Sequence, residues 1–360
     1  MTNKIKYFAA TSGIAIAALA ATPAFAVGTT AGSFIDNTAT VNYQVGGVSQ
    51  TAVNSNTNRI VVDRRISLLV AEVGNATTSV APGATAQVTT FTVQNTSNAP
   101  LDFGLTVAQQ AGGTAAHGGT DNFDVTAPTI YLDTNGNGVY DAGTDTAVTY
   151  LDEIAADTTR TVFVVANIPI GRVNGDVAGV RLTAQAFEAG TANTQGALVT
   201  ATGGANTAGV DTVFADAAGV TDIVSDGRHS AGDDYTVSAP VLTVAKQSRV
   251  ISDPINGTTN PKFIPGALVE YCIIVSNAAS ASSSASSVAI TDPLPAQTTY
   301  ETTYGVFQSG TYTGTPGTGT CNLDGATGGT YNSGTATVSG TLGTIAANST
   351  RTIYFQVRIN

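Results

Sequence analysis

Between Asp133 and Asp141, side chains with oxygen donors recur at alternate positions, and this is the stretch whose residue types and spacing could do chemistry. Asp133, Asn135 and Asn137 alternate, then come Gly138, Val139 and Asp141, with Asp145 beyond. Alternation lets three side chains aim oxygens at one centre, Gly138 permits a sharp turn, and the Val139 carbonyl and Asp141 carboxylate follow. Calcium takes about six to eight oxygen ligands, and the first nine positions follow EF-hand spacing. The twelfth position departs from it. Thr144 stands where a bidentate carboxylate belongs, and the nearest carboxylate is Asp145, one residue later. The expected set is Asp133, Asn135, Asn137, Val139, Asp141 and Asp145, holding a structural Ca²⁺. The competing expectation is an Asn-Gly hairpin loop between apolar runs at 130–132 and 148–150, which turn chemistry alone favours.

Other chemistry is sparse. His117 and His229 are the only histidines, each in a Gly-rich polar stretch. There is no G-x-S-x-G elbow, no H-E-x-x-H and no phosphate-binding glycine loop, so no enzymatic activity is expected. Cys272 and Cys321 are the only cysteines, and in an oxidising compartment such a pair reads as a disulfide. The alternative is two buried thiols. Lys4 and Lys6, an apolar run over 9–21 and Ala24-Phe25-Ala26 read as a secretory signal peptide, 1–26. No later run is long and apolar enough to span a bilayer, so no transmembrane segment is expected after cleavage. Losing Lys4 and Lys6 takes the formal charge from −11 to −13. So acidic a chain repels phosphates, which argues against nucleic acid as a partner. The expected location is secreted or cell-surface, with the periplasm as an alternative.

The elements that must position these residues are strands. Val41, Tyr43 and Val45 alternate with polar residues, Gly46-Gly47 turns the chain, and residues 48–53 return, a hairpin signal within an N-terminal segment at 27–63. Short alternating or apolar runs with frequent turn signals continue throughout, giving an all-β chain of two immunoglobulin-like β-sandwich domains. The two are duplicates. Leu342, Ile345 and Arg351 align without a gap on Leu151, Ile154 and Arg160, and Pro265-Gly266-Ala267 repeats Pro82-Gly83-Ala84. The expected division is a first repeat at 64–187, an acidic Gly/Ala/Thr-rich connector at 188–238 and a second repeat at 239–360.

The second repeat resembles the bacterial surface family called the conserved repeat domain, or domain of unknown function eleven. The residues that carry the match include Val269, Tyr271, Val275 and Asn277, the run 288–295 ending in Asp292-Pro293-Leu294-Pro295, and the Gly340–Gly343 and Ile345–Ala347 segments. The first repeat keeps only the opening and closing strands. The resemblance implies an immunoglobulin-like spacer or structural module in exported bacterial proteins, and no catalytic residue. A non-enzymatic structural protein of the cell surface or extracellular matrix is therefore expected. The alternative is an adhesin or surface binding module recognising a glycan or protein. After its closing strand the first repeat continues into a strand near 177–186, whereas the second reaches Asn360 without one. In the family a segment of the form Ile-x-Asn-Thr-Ala-x-Val commonly follows the closing strand, and here it occurs at Ile35–Val41. Self-association is thus expected, with residues 31–45 of one molecule completing the 239–360 domain of the next. The plainer alternatives are that the segment pairs within its own chain or extends the first domain.

Overall fold

The computed structural model describes residues 28–360, and the expected signal peptide lies outside the described residues. Every regular element among the described residues is a strand. Residues 34–61 form one long hairpin, with Phe34 opposite Val61, Val41 opposite Val53 and Val45 opposite Val48. Gly46 (φ 57°) and Gly47 (φ 84°) make its turn, a left-handed pair that matches the twist of the flanking strands.

The first sandwich uses β1 (Leu68–Glu72), β2 (Gln87–Asn95), β3 (Leu101–Gln109), β4 (Thr126–Leu132), β5 (Tyr150–Ile154), β6 (Thr159–Asn167), β7 (Val177–Glu188) and β8 (Arg228–Val237). One sheet runs β4-β6-β2-β1, with Thr146–Ala147 added beside β4. The other runs β5-β3-β7-β8, with Thr78–Val80 added parallel to β8. Alternate residues of both sheets meet in the middle, among them Phe91, Val93, Leu101, Phe103 and Leu182. Each such side chain stabilises by about 1.5–3 kcal/mol on full burial.

The expected connector at 188–238 is not a connector. Arg228–Val237 is β8, paired with β7 from Gln185 opposite Arg228 to Val177 opposite Thr236. Thr212–Phe214 likewise pairs in parallel with Arg64–Ile66. The first domain therefore extends to Val237. The acidic composition that suggested a solvated stretch serves the fold instead. Asp216 accepts the Asp226 and Gly227 amides at 3.0 Å each, and Asp211 accepts the Thr207 amide at 2.8 Å. These carboxylates satisfy loop donors that would otherwise be unpaired.

The second sandwich uses β9 (Leu242–Ser252), β10 (Leu268–Asn277), β11 (Ala285–Pro293), β12 (Val306–Gly310), β13 (Thr337–Ile345) and β14 (Ser349–Ile359). Its larger sheet runs β9-β10-β14-β12, extended by Ala326–Thr327, with Thr298–Tyr300 also on β14. Its smaller sheet is β11-β13 with Thr330–Asn332. One buried asparagine does the same work in both sandwiches. Asn95 Nδ2 donates to the Ile154 carbonyl at 2.8 Å, and Asn277 Nδ2 donates to the Ile345 carbonyl at 3.1 Å. Ile154 and Ile345 are aligned positions of the duplication, so the two domains share a device as well as a pattern.

Candidate functional sites

The Asp133 loop projects between β4 and Thr146–Ala147. Asp133 Oδ1 accepts the Gly136 and Asn137 amides at 2.8 and 3.2 Å, and its Oδ2 accepts the Gly138 amide at 2.9 Å. The Asn135 and Asn137 side-chain amides both donate to Asp141 Oδ2, at 2.9 and 2.7 Å. Those two bonds hold the Asp141 carboxyl below the usual carboxylate range. Asp133, Asn135, Asn137 and Asp141 are therefore brought together. Asp145 is engaged at both oxygens. It is buried, its Oδ1 accepts the Thr134 amide at 3.0 Å, and its Oδ2 accepts the Asp141 amide at 2.7 Å. It staples the two ends of the loop. The thirteen-residue hairpin connection and the converging side chains coexist, so the two readings of this stretch are compatible in geometry. Tyr140 anchors the loop edge-on against Tyr131, with ring centroids 4.9 Å apart.

Cys272 and Cys321 are joined across a sequence separation of 49. The bond lies on the outer face of the larger sheet of the second domain. There Cys272, Ile274, Cys321 and Tyr354 form a satellite cluster with Tyr304, Phe307 and Tyr312. It pins the Gly-rich 310–321 segment, which has few apolar side chains of its own, to the sheet. Beside it, buried Glu270 pairs with Arg249 at 2.7 Å and accepts the Tyr304 hydroxyl at 3.1 Å. His229, expected in a polar loop, sits on β8, where its Nδ1 accepts the Val70 amide at 3.1 Å.

The duplication exposes a feature that no local pattern reveals. In the first domain β3 is paired on its far side with β7, from Leu101 opposite Glu188 to Gln109 opposite Val180. The equivalent strand in the second domain, β11, pairs only with β13 among the described residues. The larger sheet records the consequence. Val70 lies opposite Val93 and Leu68 opposite Asn95, and the same places are held by Val244 opposite Val275 and Leu242 opposite Asn277. Val70 and Leu68 are each 2% exposed, packed with Leu182 and Ala184 of β7. Val244 is 66% exposed and Leu242 43%. These two point to the core side of β9 but have no cover. Lys246 bridges the open side, its Nζ 2.5 Å from Asp292 on β11 and 4.4 Å above the Tyr271 ring.

A second uncovered apolar surface lies on the N-terminal hairpin. Ile35, Val41, Tyr43 and Val45 alternate onto one face with Ile60, Val53 and Val48 opposite, and all seven are exposed. The other face is satisfied by its own pairs: Asp36 with Arg59, Thr38 with Thr57, Thr40 with Asn54.

Fold and sites define an all-β protein of two immunoglobulin-like sandwiches, one closed and one open-edged, with an amphipathic hairpin in front. No sequence-family profile matches the chain, and no curated protein matches it in sequence. Among solved structures it is similar to the C-terminal domain of the AgI/II polypeptide BspA of Streptococcus agalactiae, at 10% identity over 81% of this chain and 91% of that one, with a TM-score of 0.32. It is also similar to the CupB6 tip adhesin of Pseudomonas aeruginosa, at 12% identity over 84% and 89% of the two chains, with a TM-score of 0.27.

Proposed function

We propose that this is a non-enzymatic, exported structural protein of a bacterial surface or matrix that assembles head to tail. In this assembly the hairpin at 34–61 of one copy completes the second sandwich of the next. The observation that carries the reading is the contrast between buried Val70 and exposed Val244 at equivalent positions of two duplicated domains. What closes the first sandwich is an antiparallel pair, β7 and β8, that adds to the β3 edge and lays one apolar face on the core. The N-terminal hairpin is also an antiparallel pair with one apolar face. The unit donated is therefore the whole hairpin rather than the single segment 31–45. A free strand edge accepts such a ribbon through main-chain hydrogen bonds, and its side chains then fill the uncovered positions. Head-to-tail joining of this kind yields filaments where the rotation between copies does not close into a ring. An oxidising compartment suits the disulfide.

Calcium belongs to the same reading as a stiffening device. Rotating the Asn135 and Asn137 amides by a half-turn would present oxygens beside Asp141, with Asp133 and the Val139 carbonyl completing five protein donors and water the rest. The test of assembly is the mass of the purified full-length mature protein over a concentration series. Oligomers that vanish on deleting 28–61, with the deleted protein binding a free 31–61 peptide one to one and staying monomeric, support the reading, because an unattached hairpin fills the open edge without joining two molecules. A wild type that stays monomeric, or a deletion that still assembles, overturns it. In the monomeric case the open edge would instead serve a different protein's strand, the adhesin-like alternative.

A further inference from the structure

A second polar centre lies inside the first sandwich, built from three distant parts of the chain. Glu72 closes β1 on the same inward face as Leu68 and Val70. Asp233 lies on the inward face of β8, between Ala231 and Tyr235, both packed in the core. His117 reaches them from the 110–121 loop, which folds over β8 and is held there by its own amide donating to Asp234 Oδ2 at 2.7 Å. Gly112, Gly113, Gly118 and Gly119 all have positive φ, which lets so short a loop double back and carry the imidazole inward.

The three side chains converge on one centre, while Glu72 also accepts the Asn75 amide at 2.9 Å on each oxygen and Asp233 Oδ1 accepts the Asp234 amide at 2.7 Å. His117 Nε2 is 3.4 Å from Asp233 Oδ1 and 3.8 Å from Glu72 Oε2, and the three donor atoms lie within 4.8 Å of one another. Nε2 is sealed from solvent yet has no hydrogen-bond partner. The side chains of His117, Glu72 and Asp233 are only 13%, 12% and 3% exposed. Fully buried Asp234 stands beside them, with Oδ1 unpartnered. Among the described residues no lysine or arginine forms an ion pair with any of these carboxylates. Buried carboxylates are ordinarily paired or bound to metal, because the uncompensated charge costs several kcal/mol. Tetrahedral ligands at about 2.0–2.1 Å from a zinc ion lie roughly 3.3–3.5 Å apart. The 3.4 Å separation of His117 Nε2 from Asp233 already matches that value, and the 3.8 Å separation from Glu72 needs a contraction of about 0.4 Å.

We propose that Glu72, His117 and Asp233 bind one divalent transition-metal ion of the zinc type. The imidazole nitrogen selects this class over calcium, which takes oxygen ligands. The ion ties β1, β8 and the 110–121 loop together across the two sheets and offsets the buried negative charge. Its role is structural, since the site is enclosed.

The experiment uses the full mature protein, stripped with chelator and titrated with zinc chloride by calorimetry, with the metal content measured after gel filtration. The expected result is about one zinc per chain and a rise in melting temperature on binding. Asp233→Asn, which keeps the shape, and His117→Gln should each weaken zinc binding by more than about 100-fold, beyond the loss of an outer-shell partner. Asp133→Ala should leave zinc binding unchanged, and calcium should not compete. Circular dichroism of each variant establishes that it is folded. A wild type that takes up no zinc, or zinc uptake that survives both ligand substitutions, overturns the proposal.

Discussion

Val244→Asp separates the assembly reading from a merely untidy surface, because the isolated chain and the assembled one disagree about that position. In the single molecule Val244 is 66% exposed, so a carboxylate there remains hydrated. The cost to folding should stay within about 0.5 kcal/mol, as for an ordinary surface substitution. Once a second copy's hairpin covers β9, the same carboxylate is buried without a partner. Lys246, two residues away on the same face, is already engaged by Asp292. Losing the apolar contact forfeits about 1–2 kcal/mol. Burying an unpaired polar group adds about 1–3 kcal/mol more, and a charge costs more still. At about 1.4 kcal/mol per tenfold, a total near 3 kcal/mol weakens association by roughly 100-fold. Val70→Asp is the internal control: at the equivalent, 2% exposed position it should unfold the first domain in the monomer. Sedimentation velocity gives association, and calorimetric melting gives stability. Equal assembly of wild type and Val244→Asp would refute the reasoning, as would a Val244→Asp protein that melts as low as Val70→Asp.

Further expectations follow from particular contacts. Cys272→Ser should destabilise the second domain by about 4 kcal/mol in the chain-entropy treatment of a loop this long, leaving the first domain's calorimetric transition in place, and intact-mass analysis of the wild type should show no alkylatable thiol. Asp145→Ala should lower the melting temperature of the first domain with or without calcium, because it removes two amide acceptors, whereas Asp133→Ala should abolish any calcium-dependent rise. Asp253 accepts the Ile255, Asn256 and Lys262 amides, and these bonds, the Asn256 amide foremost, hold its carboxyl down at about 2. Its folded pKa is thus depressed, so its stabilisation is full above the unfolded value of 3.8 and is lost as pH falls towards 2. Asp253→Asn should flatten that acid limb of the melting profile.

Much of the architecture is written in period-two alternation. Val41, Tyr43 and Val45 with Gly46-Gly47 read directly as the hairpin that forms, and the aligned landmarks around Ile154 and Ile345 mark two copies of one sandwich. Alternation fails where burial depends on partners far away. Arg228–Val237 carries Asp233 and Asp234 and looks solvated, yet Tyr235 and Val237 drive it into the core. Asp145 stands one place beyond a ligand position, and only the fold shows that two backbone amides claim it. Glu72, His117 and Asp233 have no spacing to recognise, since each comes from a different segment. The exposure of Val244 is likewise invisible locally, for its own strand pairs normally with β10 and the missing cover belongs to the opposite sheet.

Hydrogen exchange on the full-length mature protein at low and high concentration tests the assembly most directly, because the free edge of β11 is a row of backbone groups that assembly must occupy. Protection of amides at 286–292 should rise with concentration, together with those at 34–61, while β7 and β8 stay unchanged. Exchange at 286–292 that is the same at all concentrations, in a sample shown to be oligomeric, would contradict completion of the second sandwich by a neighbouring hairpin.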